Sequence, residues 1–333
     1  MELLRKGFAF LSDPKEKAWW AKHGLCEFRL LLRRERFGAV VGYLVAAATG
    51  WRIYDLYLRY LVWRYGNAIE REIRGNRMRL DLSDNGISRD LFLYGGREQV
   101  GTEIFERELR RLGDENDSGL AIEIGANIGY FALIEMNTLG EGAELVAFEP
   151  DNKNADLLET NLTLNDRLDA ASVERAAVGP ERGTAELQLS SHSNLNQVRS
   201  ETSIEDNHDT GETVAVDMWS IDEYLAEHGR APDTVVAVRM DIEGYETEVL
   251  RGMETVLRAD GPTVISIEVH ANALDYETRA ELLDRFDEHG FEIVAALTES
   301  ITADPFVGRM DVEDLQSLAE YDRAYNLILK KPQ

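Results

Sequence analysis

From Gly119 onward the chain repeats one alternation: a short run rich in Val, Ile and Ala, then a stretch with helical spacing. The apolar runs are "GLAIEIG", "ELVAFEP", "SVERAAVG", "TVVAVRMD" and "TVISIEVH"; the helical stretches are "ADLLETNLTLN", "IDEYLAEHG", "TEVLRGMETVLR" and "RAELLDRFDEHG". Strands apolar on both faces must be covered on both, and intervening helices supply that cover. The pattern therefore predicts a doubly wound α/β fold with a parallel sheet over residues 119–333. With 44% hydrophobic residues in 333, the chain has ample material for such a core.

Two further units precede it. The second, residues 78–118, begins with a stretch, 78–100, that alternates apolar and polar around "DNG", which predicts short strands joined by a turn. "GTEIFERELRRL" then sets Ile104, Phe105, Leu109 and Leu112 on one helical face, and the polar "GDENDSG" marks the edge of the core. Residues 1–77 read as a helical extension with 15 Lys and Arg against 8 Asp and Glu, a balance of +7. Its charge-free run Phe37 to Trp51 is 15 residues long, short of the roughly 20 that a bilayer span needs. It also begins too far into the chain for an ordinary signal peptide. Trp19, Trp20, Trp51 and Trp63 and several tyrosines lie here among arginines, the composition of a helix resting on a membrane surface. The alternative is an oligomer arm, as in a homodimer. The expected location is the cytoplasm, at the inner face of the membrane.

The whole chain carries −26, so the rest carries −33 once the basic extension is set aside. Phosphate backbones need a positive surface, which argues against nucleic acid as the partner of the acidic part. Only seven of the 36 basic residues are lysine; high acidity with little lysine suits a salt-rich cytoplasm, where screening reduces self-repulsion. The single Cys26 excludes an internal disulfide, and no cysteine and histidine cluster has zinc spacing.

"AIEIGANIGYFAL", residues 121–133, reads as strand, tight turn and helix start. Gly125 suits backbone angles closed to other residues, Asn127 suits a tight turn, and Gly129 permits close approach of helix and strand. A dinucleotide site would prefer G-x-G-x-x-G and a pyrophosphate at the helix amino end. Here Glu123 stands where an anion would approach, and a cationic ligand with a ribose fits better. Glu149 ends the next apolar run, placed to accept from two ribose hydroxyls. A nicotinamide-dependent oxidoreductase is the disfavoured rival; a membrane-associated module that binds cofactor without turnover is the non-enzyme one.

"IEIGANIGYFAL", "VAFEPDNKNADLLETNLTLN", "AAVG", "VRMDIEGYETEVLRGM" and "ISIEVH", in this order, resemble the FkbM family of S-adenosylmethionine-dependent methyltransferases over roughly residues 78–297. The resemblance implies a seven-stranded class I methyltransferase sheet, S-adenosyl-L-methionine as cofactor, and O-methylation. By position it sets Glu123, Gly125, Asn127 and Gly129 around the methionine part, counts Tyr130 with the cofactor residues, gives the ribose to Glu149, and passes the adenine by Ala177 and Val178. The family commonly has lysine where this chain has Arg239, and the two side chains are not geometrically equivalent.

A hydroxyl acceptor must lose a proton, so a carboxylate or imidazole within reach should help. Strand ends supply Asp241, Glu243, Glu268 and His270, and an unperturbed histidine titrates in the right range. Acids are too abundant in this chain for their clustering to indicate a metal, and none is expected. The long polar stretch "LSSHSNLNQVRSETSIEDNHDTGETVAV" reads as a loop, with Ser193 and Asn194 as acceptor contacts. The expected acceptor is a hydroxyl or carboxylate of a sugar, on a lipid-linked glycan.

Overall fold

The apolar runs form the centre of a mixed sheet in the computed structural model, which describes residues 62–64, 66–84, 86–115, 119–190, 195–199, 209–299, 307–312 and 314–332. The elements in chain order are β1 (Ala68–Ile73), β2 (Asn76–Asp81), α1 (Ile87–Tyr94), α2 (Gln99–Glu115), β3 (Leu120–Ile124), α3 (Tyr130–Leu139), β4 (Glu144–Phe148), α4 (Asn152–Leu164), β5 (Ala171–Glu174), β6 (Ala176–Val178), β7 (Gly183–Ser190) and β8 (Gln197–Val198). After them come β9 (Asp209–Trp219), α5 (Ile221–Glu227), β10 (Val235–Met240), α6 (Glu246–Arg251), α7 (Glu254–Arg258), β11 (Thr263–Val269), α8 (Tyr276–Glu288), β12 (Glu292–Glu299), β13 (Val307–Arg309) and β14 (Tyr325–Lys331).

The large sheet runs β13-β12-β14-β11-β10-β3-β4-β5. β5, β4, β3, β10 and β11 are parallel to one another, and β14 is antiparallel between β11 and β12. The chain winds outward from β3 to β5, then returns to place β10 on the other side of β3, so strand order reverses between β3 and β10. Ligand crevices open at such a reversal, beyond the carboxyl ends of the strands. The expected class I sheet is present, with one difference: β13 adds an eighth strand on the edge of β12.

Period-two alternation assigns the two faces. Leu120, Ile122 and Ile124 of β3 join a core with Tyr224 of α5, Leu250 of α6, Leu257 of α7 and Phe286 of α8. Ala121 of β3 and Ala147 of β4 join the opposite core with Phe105 and Leu109 of α2, Leu133 of α3 and Leu158 of α4. Side chains near their starts cap several helices: Asp151 accepts from Lys153 and Asn154 N–H before α4, Ser220 from Glu223 N–H before α5, and Asp275 from Thr278 N–H before α8.

Local expectations fail where distant partners decide. Residues 68–77, expected to be helical, form β1, a turn and the start of β2, because Arg74 and Gly75 both take positive φ (49° and 82°) and close a tight hairpin. "DNG" joins no strands: Asp84 Oδ1 accepts from Gly86 N–H at 3.1 Å, and α1 starts at the next residue. α2 runs through the first part of the expected polar break, to Glu115. "SVERAAVG" splits at Arg175 into β5 of the large sheet and β6 of a second, four-stranded sheet ordered β6-β9-β7-β8. "TEVLRGMETVLR" breaks at Gly252, where a Cβ would sit 2.1 Å from the Gly179 carbonyl oxygen. The stretch expected as a long loop contributes β8 and β9, and Ser193 and Asn194 lie outside the described residues. So do residues 1–61, which include most of the aromatic and basic extension. Among the described residues no helix is long and apolar enough to cross a membrane.

The free edge of β2 is satisfied by side chains. One turn apart on α4, Asn161 and Asn165 each bond to the backbone of one β2 residue. Asn161 Oδ1 accepts from Arg79 N–H at 2.6 Å and its Nδ2 donates to Arg79 O at 3.3 Å. Asn165 treats Arg77 the same way at 3.0 and 2.8 Å. Asn161 also donates to Ile128 O at 2.7 Å, which ties the hairpin to the turn after β3. Leucine there would leave these buried backbone groups without partners, a loss of about 2 kcal/mol. We expect Asn161→Leu to lower the urea midpoint with an unchanged slope.

Candidate active site

β3 ends in a sharp turn because three residues take positive φ: Gly125 (78°), Asn127 (49°) and Gly129 (85°). A Cβ on Gly125 would lie 2.4 Å from Asp241 O, and one on Gly129 would lie 2.6 Å from Leu158 Cδ1. Both glycines are thus required twice, by backbone angle and by close approach. The N–H groups of Gly125 and Ala126 both donate to Phe148 O at 3.0 Å, holding the turn against the end of β4.

This turn forms one wall of a crevice lined also by Glu149 and Pro150 after β4, Ala177 and Val178 of β6, and Asp241, Ile242 and Tyr245 after β10. Of the residues expected to bind cofactor, Gly125, Asn127, Glu149, Ala177 and Val178 line it, and Asp241 of the catalytic candidates joins them. Glu149 is buried: Oε2 accepts from Asn127 N–H at 2.7 Å and Oε1 from Asp151 N–H at 2.9 Å. Burial pushes this carboxyl up to about 7 against the opposing pull of those N–H groups.

Glu123, Gly129 and Tyr130 are not in the lining. Gly129 packs against Leu158. The Tyr130 hydroxyl accepts from Arg97 N–H at 3.2 Å. Glu123 shares the Ala121 face of β3, and its Oε1 accepts from Arg239 Nη1 at 2.9 Å. Beside it, Glu135 of α3 is wholly buried, and each carboxyl acts on the other. Burial raises both; Arg239 opposes this at Glu123, which is pushed up to about 7, while Glu123 itself adds to the rise at Glu135. The sequence did not suggest Asn196, Leu187 or Val198 as lining residues. Asn196 is held by Asp151, its Nδ2 donating to Asp151 Oδ2 at 3.1 Å, a pairing across 45 residues that no local pattern signals.

The catalytic candidates gather at the ends of β10 and β11. One donor atom each from Asp241, Glu243 and His270 lie within 4.8 Å of one another, as do those of Glu98, Asp241 and Glu268. Arg239 faces this group, with Nη2 at 3.3 Å from Asp241 Oδ2 and 3.6 Å from Glu98 Oε1, and its guanidinium carbon 3.4 Å from the Phe131 ring centroid. Burial alone would raise Asp241, but Arg239, Arg97 and His270 outweigh it and hold that carboxyl below its usual range. Burial, reinforced by Asp241 and Glu98, pushes Glu268 up to about 8. Burial would lower His270, yet hydrogen bonds to Glu243 and Glu246 raise it well above the ordinary value.

The family model for the methyltransferase FkbM domain matches residues 123–293. The chain belongs to the FkbM methyltransferase family. S-Adenosylmethionine is accordingly the cofactor, and transfer of its methyl group is the chemistry. Among solved structures, a SAM-dependent methyltransferase from Agrobacterium tumefaciens is 10% identical, covering 80% of this chain and 71% of that one at a TM-score of 0.41. An O-methyltransferase from Bacillus cereus in complex with SAH is 13% identical, with 71% and 82% covered and a TM-score of 0.40. A SAM-dependent O-methyltransferase from Thermotoga maritima is 11% identical, with 68% and 64% covered and a TM-score of 0.33. At these scores the family assignment rests on the match over residues 123–293. No curated protein matches the chain.

The crevice residues of this FkbM member fit the cofactor. Asn127 Oδ1 is buried with no hydrogen-bond partner among the described residues, the acceptor that an ammonium group needs. Glu149 keeps acceptor capacity beyond its two backbone bonds and its bond from the Asn154 side chain, enough for a ribose hydroxyl. Hydrogen bonds to a charged group contribute about 1.5–3 kcal/mol. Glu149→Ala should therefore weaken S-adenosylhomocysteine binding by roughly 10- to 100-fold in calorimetry.

Proposed function

We propose that the protein methylates a hydroxyl oxygen of a sugar, with Glu268 as the proton acceptor. The observation that supports this is the cluster of Asp241, Glu243, Glu268 and His270 beside a cofactor crevice that Asp241 itself lines. Bound S-adenosylmethionine supplies an already activated methyl group, so the protein's work is alignment and proton removal. As the acceptor oxygen bonds the methyl carbon and the carbon–sulfur bond breaks, the hydroxyl proton passes to Glu268. A base is most effective with a proton affinity near the working pH. Of Asp241, Glu268 and His270, Glu268 meets that requirement: Asp241 is held too acidic, and His270, flanked by carboxylates, keeps its own proton at neutral pH. The surrounding carboxylates suit the remaining hydroxyls of a polyol better than a carboxylate acceptor, which like charge would repel.

Incubation with labelled S-adenosylmethionine and a lipid-linked glycan extract, followed by mass analysis, tests the reading. We expect a glycan to gain one CH2; label appearing only on protein or nucleic acid would reject a sugar acceptor. The carboxyl must be ionised to take a proton, so the rate should rise as pH passes upward through about 8. Glu268→Gln should remove this limb and lower kcat by roughly 100-fold or more.

The lipid-linked form of the acceptor is supported by the +7 balance and the tryptophans of residues 1–77. Anionic lipids attract such a segment, and buried aromatics hold it where salt weakens the attraction. In flotation with anionic vesicles the full chain should rise, and a chain starting at Gly66 should stay below. Equal partitioning of the two would remove the membrane from the proposal.

A further inference from the structure

We propose that Glu246 is a positioning residue that acts through His270 on the acceptor-side carboxyls. The inference rests on the reading of Glu268 as base.

Glu246 opens α6 and is wholly buried. Its Oε1 accepts from Gly244 N–H at 2.9 Å and meets His270 Nδ1 at 2.7 Å. Oε2 has no hydrogen-bond partner among the described residues. A carboxylate so enclosed, with half its acceptor capacity unused, needs a cation against it. The imidazole is the group in contact, and Nδ1 must carry a hydrogen to bond it. His270 is itself buried, and its other nitrogen, Nε2, lies 3.1 Å from Glu243 Oε2 and 3.9 Å from Glu268 Oε1. Glu246 thereby fixes the ring orientation and keeps the ring charged, and the charged ring faces the base.

The groups around this relay come from four segments. His270 meets Glu246 from α6, Glu243 from the turn after β10, Glu268 from β11 and Asp241 from the end of β10. Glu268 in turn meets Asp241 and His270, together with Glu98 and Arg97 from the segment before α2. Asp241 and Glu98 favour the protonated Glu268; His270 and Arg97 favour the ionised form. Loss of the Glu246 charge lets His270 release its proton, and one of the two cations opposing protonation of Glu268 is then gone. The base holds its proton more tightly, and the rate limb moves to higher pH.

The test follows S-adenosylhomocysteine production against pH with the lipid-linked glycan extract as acceptor, for the unaltered protein and for Glu246→Gln, Glu246→Asp, His270→Gln and Glu268→Gln. Glutamine can still accept from Nδ1–H, so Glu246→Gln separates charge from mere packing. We expect Glu246→Gln to move the acid limb upward by about one pH unit with the KM for S-adenosylmethionine unchanged. Glu246→Asp should bring the limb back toward its original position. His270→Gln should move it in the same direction as Glu246→Gln, which keeps the test decisive if a Glu246 variant fails to fold. At neutral pH, 15N spectra should show both His270 ring nitrogens protonated in the unaltered protein and one in Glu246→Gln. A limb that vanishes in Glu268→Gln yet stays in place in both Glu246→Gln and His270→Gln overturns this inference and leaves the base intact. A limb that survives Glu268→Gln overturns the base reading, and the relay with it.

Discussion

Two strand ends touch at the point where the sheet reverses its order, and the site depends on that contact. Gly125 follows β3 and Asp241 follows β10, close enough that a single added methyl group at residue 125 would lie 2.4 Å from the Asp241 carbonyl oxygen. Because neither backbone can withdraw without breaking the parallel pairing of β3 with β10, the turn from Gly125 to Gly129 has one place to go. It crosses toward β4, where Glu149 takes the Asn127 N–H. The crevice and the cluster of carboxylates with His270 are therefore two sides of one backbone contact, and Asp241 belongs to both.

Beneath that contact lies a buried charge network that a hydrophobic core would not require. Arg239 spans Glu123, Asp241 and Glu98 and rests on Phe131. Buried ion pairs contribute little net stability relative to apolar packing, but breaking one partner costs about 3–5 kcal/mol. Their value here is directional. A planar guanidinium can engage carboxylates on two sides at fixed angles, which an ammonium at the same position does less well. A lysine at this position would reach one carboxylate at a time, so the arginine accounts for Asp241 and Glu123 both being held. Glu135, wholly buried beside Glu123, completes the arrangement, and burial raises both carboxyls.

What the sequence made legible follows from the range of each interaction. Gly125, Asn127 and Gly129 were readable because positive φ is a property of the residue itself. Glu149 was readable because it ends an apolar run, and the alternation of runs and helices was enough to imply the doubly wound sheet. Glu123 lies outside the crevice lining for a definable reason: alternation sets it with Ala121 on the opposite face of β3, and its partner Arg239 is 116 residues away on a neighbouring strand. Register, not local pattern, joins them. Asn161 and Asn165 were read as ordinary helix positions for the same reason, since the backbone they satisfy lies 82 to 88 residues earlier. His270 looked like a group free to titrate; the carboxylate that holds its proton enters 24 residues upstream in sequence and from another element.

Acidity itself has two meanings in this molecule. On the surface, carboxylates pair loosely with arginines, as in the exposed set of Arg251 with Glu248 and Glu281; such pairs are worth little singly and less as salt rises. Around Asp241, Glu268 and His270 the same residue types are largely buried, where salt screens less and each charge is felt more strongly by its neighbours. A salt-rich medium would thus weaken the repulsion among the many exposed acids while leaving the proton affinities of the few enclosed ones in place. An acidic exterior and a finely balanced acidic site can then coexist in one chain, because burial and not composition decides which carboxylates act together.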